Sequence, residues 1–107
     1  MREVEFKIPN SAQLSEVDSA IEAICAAEGL QTSMKGTLVS FPGSTHWHFK
    51  RPGERGTLEL TVFPAGRRIW ASIQDGRRAD WIEPCLASIQ QSVEAKLKES
   101  TRLLVEN

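Results

Sequence analysis

Two histidines two residues apart, His46 and His48, and one later acid, Glu59, are the residues of this 107-residue chain best suited to chemistry. On an extended strand, residues i and i+2 point to the same side. Both imidazoles can therefore face one ligand, and a glutamate on the next strand adds a third donor of the kind zinc and iron take. The chain has no further histidine. Side chains of a flat sheet diverge, so the sequence predicts no metal site and no cofactor, with the imidazoles turned to solvent or to a partner. Ser72, Glu59 and His48 suggest a hydrolytic row across three strands. A nucleophile also needs oxyanion donors, which a mid-strand serine lacks. There is no tyrosine to act as an acid, and no glycine-rich phosphate loop leads from a strand into a helix. The catalytic set expected from the sequence is empty.

The second candidate site is electrostatic. Lys35, Lys50, Arg51, Arg55, Arg77 and Arg78 are expected at one end of the sheet, beside the start of the last helix, where a phosphate or carboxylate could bind. Glu54, Asp75 and Asp80 lie in the same loops and offset part of that charge. The net charge of −1 gives the domain no general attraction for nucleic acid.

These residues need elements to hold them. Glu3–Ile8 alternates polar and apolar, the period of a half-buried strand. Leu14, Val17, Ile21, Ile24 and Cys25 follow at helical spacing, with Ser11 or Ser15 available as a cap and Gly29 to close the helix. Period-two patterning returns over 31–41, 45–50, 57–63 and 68–75, punctuated by Pro42-Gly43, the segment 51–56 and Pro64-Ala65-Gly66. Turns this short join antiparallel neighbours. A long helix begins near Asp80, with Ile82, Leu86, Ile89, Val93 and Leu97 along one stripe that extends towards Leu104.

The expected architecture is one α+β domain over 1–107: a two-layer sandwich, β-α-β-β-β-β-α, with an antiparallel meander and two helices on one face. That element order resembles the TATA-binding-protein-like topology over the whole chain, a resemblance that implies a fold and no function. A ferredoxin-like sheet with altered strand order is the competing arrangement. The His-x-His is similar to the cupin metal motif, but Glu54 falls too far along for the cupin glutamate.

Alternation also assigns faces. The 51–56 turn pairs Lys50 with Thr57, His48 with Glu59 and His46 with Thr61. Trp47, Phe49, Leu58, Leu60 and Val62 then share the helix-covered face. A four-residue turn adds Ile69, Ala71 and Ile73 to it, and sets Trp70 beside Thr61 and Ser72 beside Glu59. His46, His48, Glu59, Thr61, Trp70, Ser72 and Val39 are left on the open face, with Phe41 and Phe63 near its edge. An aromatic and aliphatic patch of this kind marks an interface.

The functional expectation is a non-enzymatic binding domain that uses this face for a protein partner or a second copy, with Trp70, His46 and His48 as central anchors. On that reading Trp70→Ala weakens association and leaves the fold intact. Anion or nucleic-acid binding at Lys50, Arg51, Arg55, Arg77 and Arg78 is the alternative, with nucleic acid not favoured. Apolar stretches are too short for a membrane span, the N-terminus has no signal-peptide core, and Cys25 and Cys85 read as buried thiols of a reducing, cytoplasmic setting.

Overall fold

The structure is a computed structural model that describes the backbone of residues 1–106 and the side chains of residues 1–100. The elements run β1 (Arg2–Glu5), α1 (Val17–Ala27), β2 (Gln31–Gly36), β3 (Thr45–Lys50), β4 (Leu58–Phe63), β5 (Arg68–Ile73) and α2 (Ile82–Glu106). The five strands form one antiparallel sheet in the order β1-β5-β4-β3-β2. This is the expected α+β order. The four strands β2 to β5 are consecutive neighbours, so the sheet is the expected meander and not a ferredoxin-like sheet with altered strand order. The part of the α2 stripe assigned to Leu104 lies outside the described side chains.

The register follows from period-two patterning. Trp47 pairs with Leu60 and Phe49 with Leu58, while His46 meets Thr61 and His48 meets Glu59. On β5, Ala71 faces Leu60 and Ile69 faces Val62, with Trp70 beside Thr61 and Ser72 beside Glu59. One face of the sheet thus carries Trp47, Phe49, Leu58, Leu60, Val62, Ile69 and Ala71, all fully or almost fully buried. Ile21 and Cys25 of α1 and Ile82, Leu86, Ile89, Val93 and Leu97 of α2 complete that core. Trp47 stacks on Phe49 at a ring separation of 6.1 Å. Its indole Nε1 donates to Glu22 Oε2 on α1 at 2.9 Å, so the largest core side chain also ties the sheet to a helix.

Element ends depart from the expected ones where local chemistry intervenes. Neither Ser11 nor Ser15 caps α1. The helix starts after Glu16, with no side-chain cap bond, and segment 9–12 ahead of it is held by a separate contact. Arg67 does the holding: its guanidinium donates to the carbonyls of Pro9, Asn10 and Ala12 at 3.0, 3.1 and 3.1 Å. Arg67 itself takes a left-handed conformation, φ 51°, to close the turn between β4 and β5, and three hydrogen bonds offset that strain. Gly29 ends α1 as expected, at φ +83°. The strand expected over 31–41 stops at Gly36, and residues 37–44 form a hydrogen-bonded loop. Leu38 N donates to Ser44 Oγ at 3.1 Å, and Phe41 N and Ser44 N donate to Leu38 O and Phe41 O, each at 3.0 Å.

Gly56 positions the opposite end of the sheet. A Cβ there would lie 2.7 Å from Ala79 Cβ and 3.2 Å from Arg77 O. Only glycine lets the 51–56 loop approach the 75–78 turn closely enough for Thr57 N to donate to Arg77 O at 3.0 Å. Trp47→Ala is expected to lower stability by about 3–5 kcal/mol in chemical denaturation, as for other buried aromatics. A loss under about 1 kcal/mol would contradict its central place in the core.

Candidate functional site

The sheet face turned away from the helices is covered over part of its area. The expected open position of Trp70 is corrected: it is 5% exposed. The 37–44 loop folds back and places Phe41 edge-on against Trp70, 5.0 Å between ring centres, and against Phe63 at 5.2 Å. Arg68 lies over the other part of the indole, 4.2 Å from its centre, and is itself paired with Glu5 of β1, Nε to Oε1 at 3.2 Å. Val39, expected on this face, sits in the loop instead and is 96% exposed. The contiguous aromatic patch therefore packs against itself. Trp70→Ala should destabilise the fold by about 3 kcal/mol, as truncation of a buried aromatic does, which replaces the expectation that the fold would be left intact.

Beside this aromatic half, β3 and β4 present a polar one. His46 and Glu59 are 7% and 8% exposed, Thr61 and Ser72 are buried with them, and His48 is half-buried at the rim. Glu59 stands directly across from His48 and diagonally from His46. Its Oε1 is 3.5 Å from His46 Nε2, and its Oε2 is 3.9 Å from His48 Nε2. Arg77 reaches over from the turn after β5, placing Nη1 3.6 Å from Glu59 Oε2 and 3.5 Å from His48 Nδ1. His46 is fixed from behind by Thr61, Nδ1 to Oγ1 at 2.8 Å. The two imidazoles meet edge to face, 5.1 Å apart. His46, His48 and Glu59 each bring a ligand atom within 4.8 Å of the others, so the side chains expected to diverge in fact converge. Glu59, directly opposite His48 and one diagonal step from His46, lies within reach of both rings.

The expected row of Ser72, Glu59 and His48 forms across three strands, but its order is wrong for hydrolysis. Ser72 pairs with Glu59, and Glu59 with His48, so the carboxylate stands between the serine and the imidazole. A triad needs the imidazole in the middle to take the serine proton. β5 is also flanked by β1 and β4, which uses its amides in the ladders and leaves none for an oxyanion.

The basic end comes together only in part. Lys35 is a correction: it pairs in register with Trp47 and its Nζ is 2.7 Å from Glu22 on the helix side, away from the other cations. Lys50 donates to Thr57 Oγ1 at 2.9 Å. Arg51 lies over the Trp81 ring at 5.3 Å, and Arg78 pairs with Asp75 at 3.2 Å. Arg77 is engaged on the sheet face. Arg55 is exposed, and its carbonyl accepts the Trp81 indole N–H at 2.7 Å.

Cys25 and Cys85 are both buried and unlinked. Burial pushes the Cys25 thiol up to about 12, with Cys85 and Glu28 adding to the shift, and burial also raises Cys85, beside Glu28. Neither is a reactive thiolate at neutral pH. Comparison of the chain with protein-family models, with curated proteins and with solved structures found no match in any of the three. Among the described residues, no helix is long and apolar enough to cross a membrane.

Burial lowers the His46 pKa below its ordinary 6.5; Glu59 opposes this and His48 adds to it. The folded state keeps His46 neutral where the unfolded chain is protonated. Its contribution to stability is therefore whole above pH 6.5 and is lost as the pH falls from there through the folded midpoint. Ring-proton NMR shifts should show a His46 midpoint below 6.5; a midpoint above it would contradict the burial.

Proposed function

We propose that this chain is a small, non-enzymatic binding domain whose ligand seats on the outer sheet face, over His46, His48 and Glu59, with Arg77 at the rim. One observation carries the reading: a carboxylate and an imidazole are buried on the face that the helical core does not use. Burying such groups is costly, and a face of threonine and lysine would have served solubility alone. Ionisable groups collected in one place on a sheet face support a functional reading. The order of Ser72, Glu59 and His48 supports binding over catalysis.

Met34 pairs with His48 and is 40% exposed. It gives a protein partner or a second copy an apolar footing beside the polar strip, in place of the covered Trp70. The two unlinked, buried cysteines support a reducing, cytoplasmic setting.

Amide-shift mapping by NMR against separate probes tests the reading: divalent metal ions, inorganic phosphate, a short single-stranded oligonucleotide, and the protein itself on dilution. The expected result is a response confined to residues 46–48, 59–61 and 77 with at least one probe. A phosphate or oligonucleotide response at Arg51, Arg55 and Arg78 alone would move the site to the basic end. Silence at both places with every probe would refute the binding face.

A further inference from the structure

We infer that His46, His48 and Glu59 form a binding site for a divalent transition-metal ion of the zinc type. The inference deepens the proposed function and rests on it. It starts from Glu59, whose side chain is nine-tenths buried, 10% exposed. Its nearest nitrogen partners stand at 3.5, 3.6 and 3.9 Å. A charge-assisted N–H···O bond is about 2.7–2.9 Å long, so all three nitrogens stand back from the carboxylate. No fully buried side-chain nitrogen or oxygen among the described residues lacks a partner, yet a mostly buried carboxylate held only at these distances calls for an explanation. The spacing supplies one. An ion bound at about 2.0–2.2 Å to nitrogen and oxygen holds its ligands about 3.3 Å apart in a tetrahedron. His46 Nε2 stands close to that value from Glu59 Oε1, while His48 Nε2 faces the other oxygen, Oε2, at 3.9 Å. One ligand atom from each residue lies within 4.8 Å of the others, so the set must draw together by up to about 1.5 Å around an ion.

The ligand set fits the ion class. Two imidazoles and one carboxylate suit zinc and its neighbours, whereas calcium and magnesium demand oxygen ligands. His46 carries the outer support such ligands have. Thr61 holds its Nδ1 at 2.8 Å, which leaves Nε2 directed at Glu59. Three protein ligands also leave a fourth position free, on the side open to solvent.

Arg77 is the competitor. Its guanidinium is half exposed, stands 3.6 Å from Glu59 Oε2, and meets His48 Nδ1. Arg77 thus places a positive charge where an ion would add another, and it must swing out for the ion to enter. Its removal should therefore tighten binding. That outcome separates a metal site from a cluster held together by Arg77, which would loosen on the same change.

Zinc is titrated into the untagged protein by calorimetry, with cobalt as a spectroscopic substitute and magnesium as control. The expected result is one zinc per chain, a tetrahedral cobalt spectrum, and no response to magnesium. Glu59→Gln and His48→Gln should each weaken zinc binding by roughly tenfold or more, and Arg77→Ala should strengthen it several-fold, on the order of the Coulomb energy of a nearby like charge. His48 is half-buried, so His48→Gln keeps the test valid if Glu59→Gln does not fold. Cys25→Ser should bind zinc as the wild type does. No zinc binding, or binding unchanged in His48→Gln, would overturn the inference. If zinc fails while another probe shifts residues 46–48 and 59–61, the metal assignment falls and the binding face stands. If every probe fails, both fall.

Discussion

The pairing of β3 with β4 is the constraint on which the rest depends. With Trp47 opposite Leu60 and His48 opposite Glu59, each residue of His46-Trp47-His48-Phe49 has its face decided. A slip by one residue would turn Trp47 and Phe49 to solvent and press both histidines into the helices. The apolar core forbids that slip at a cost of several kcal/mol per aromatic side chain. The hydrogen bond from Trp47 to Glu22 and the 51–56 turn hold the same register from two directions. The helical core thus fixes the histidines, though it never touches them.

On the outer face the same register produces two unlike halves. Towards β1 and β5, Glu5, Arg68, Trp70, Phe63 and Phe41 make a packed layer of aromatic rings and one guanidinium. Towards β3, His46, His48, Thr61 and Glu59 make a polar layer with Arg77 at its rim. The 37–44 loop packs on the first half through Phe41. A structural role for the polar half would call for tight, short hydrogen bonds, because under-bonded buried charge is destabilising. His46 has such a bond to Thr61, at 2.8 Å, but the distances around Glu59 are long, which is why its carboxylate reads as the place for something else.

Much of this was legible in the sequence, because period-two alternation and short turns are local signals. The β3–β4 and β4–β5 registers, the core set around Trp47, and the membership of His46, His48, Glu59, Thr61, Trp70 and Ser72 on one face all follow from counting through the turns. The loop over that face was not legible. Leu38-Val39-Ser40-Phe41 continues the alternation of a strand, and only tertiary packing of Phe41 on Trp70 makes it a cover. Arg67 was missed for a similar reason, since one arginine bonding three carbonyls of a distant loop leaves no pattern in the chain. The convergence on Glu59 lay beyond sequence reasoning as well. Strand register gives neighbours, but whether side chains lean together or apart is decided by rotamers and by the arginine arriving from the 75–78 turn.

The assignment of the two strand tryptophans to opposite faces can be tested by measuring through-space proton contacts from their indole rings. Trp47 is predicted to contact α1, through Glu22 and Ile21, and Trp70 to contact Phe41 and Phe63. Contacts of Trp70 with the helices, or of Trp47 with the 37–44 loop, would contradict the register and with it the placement of the histidines.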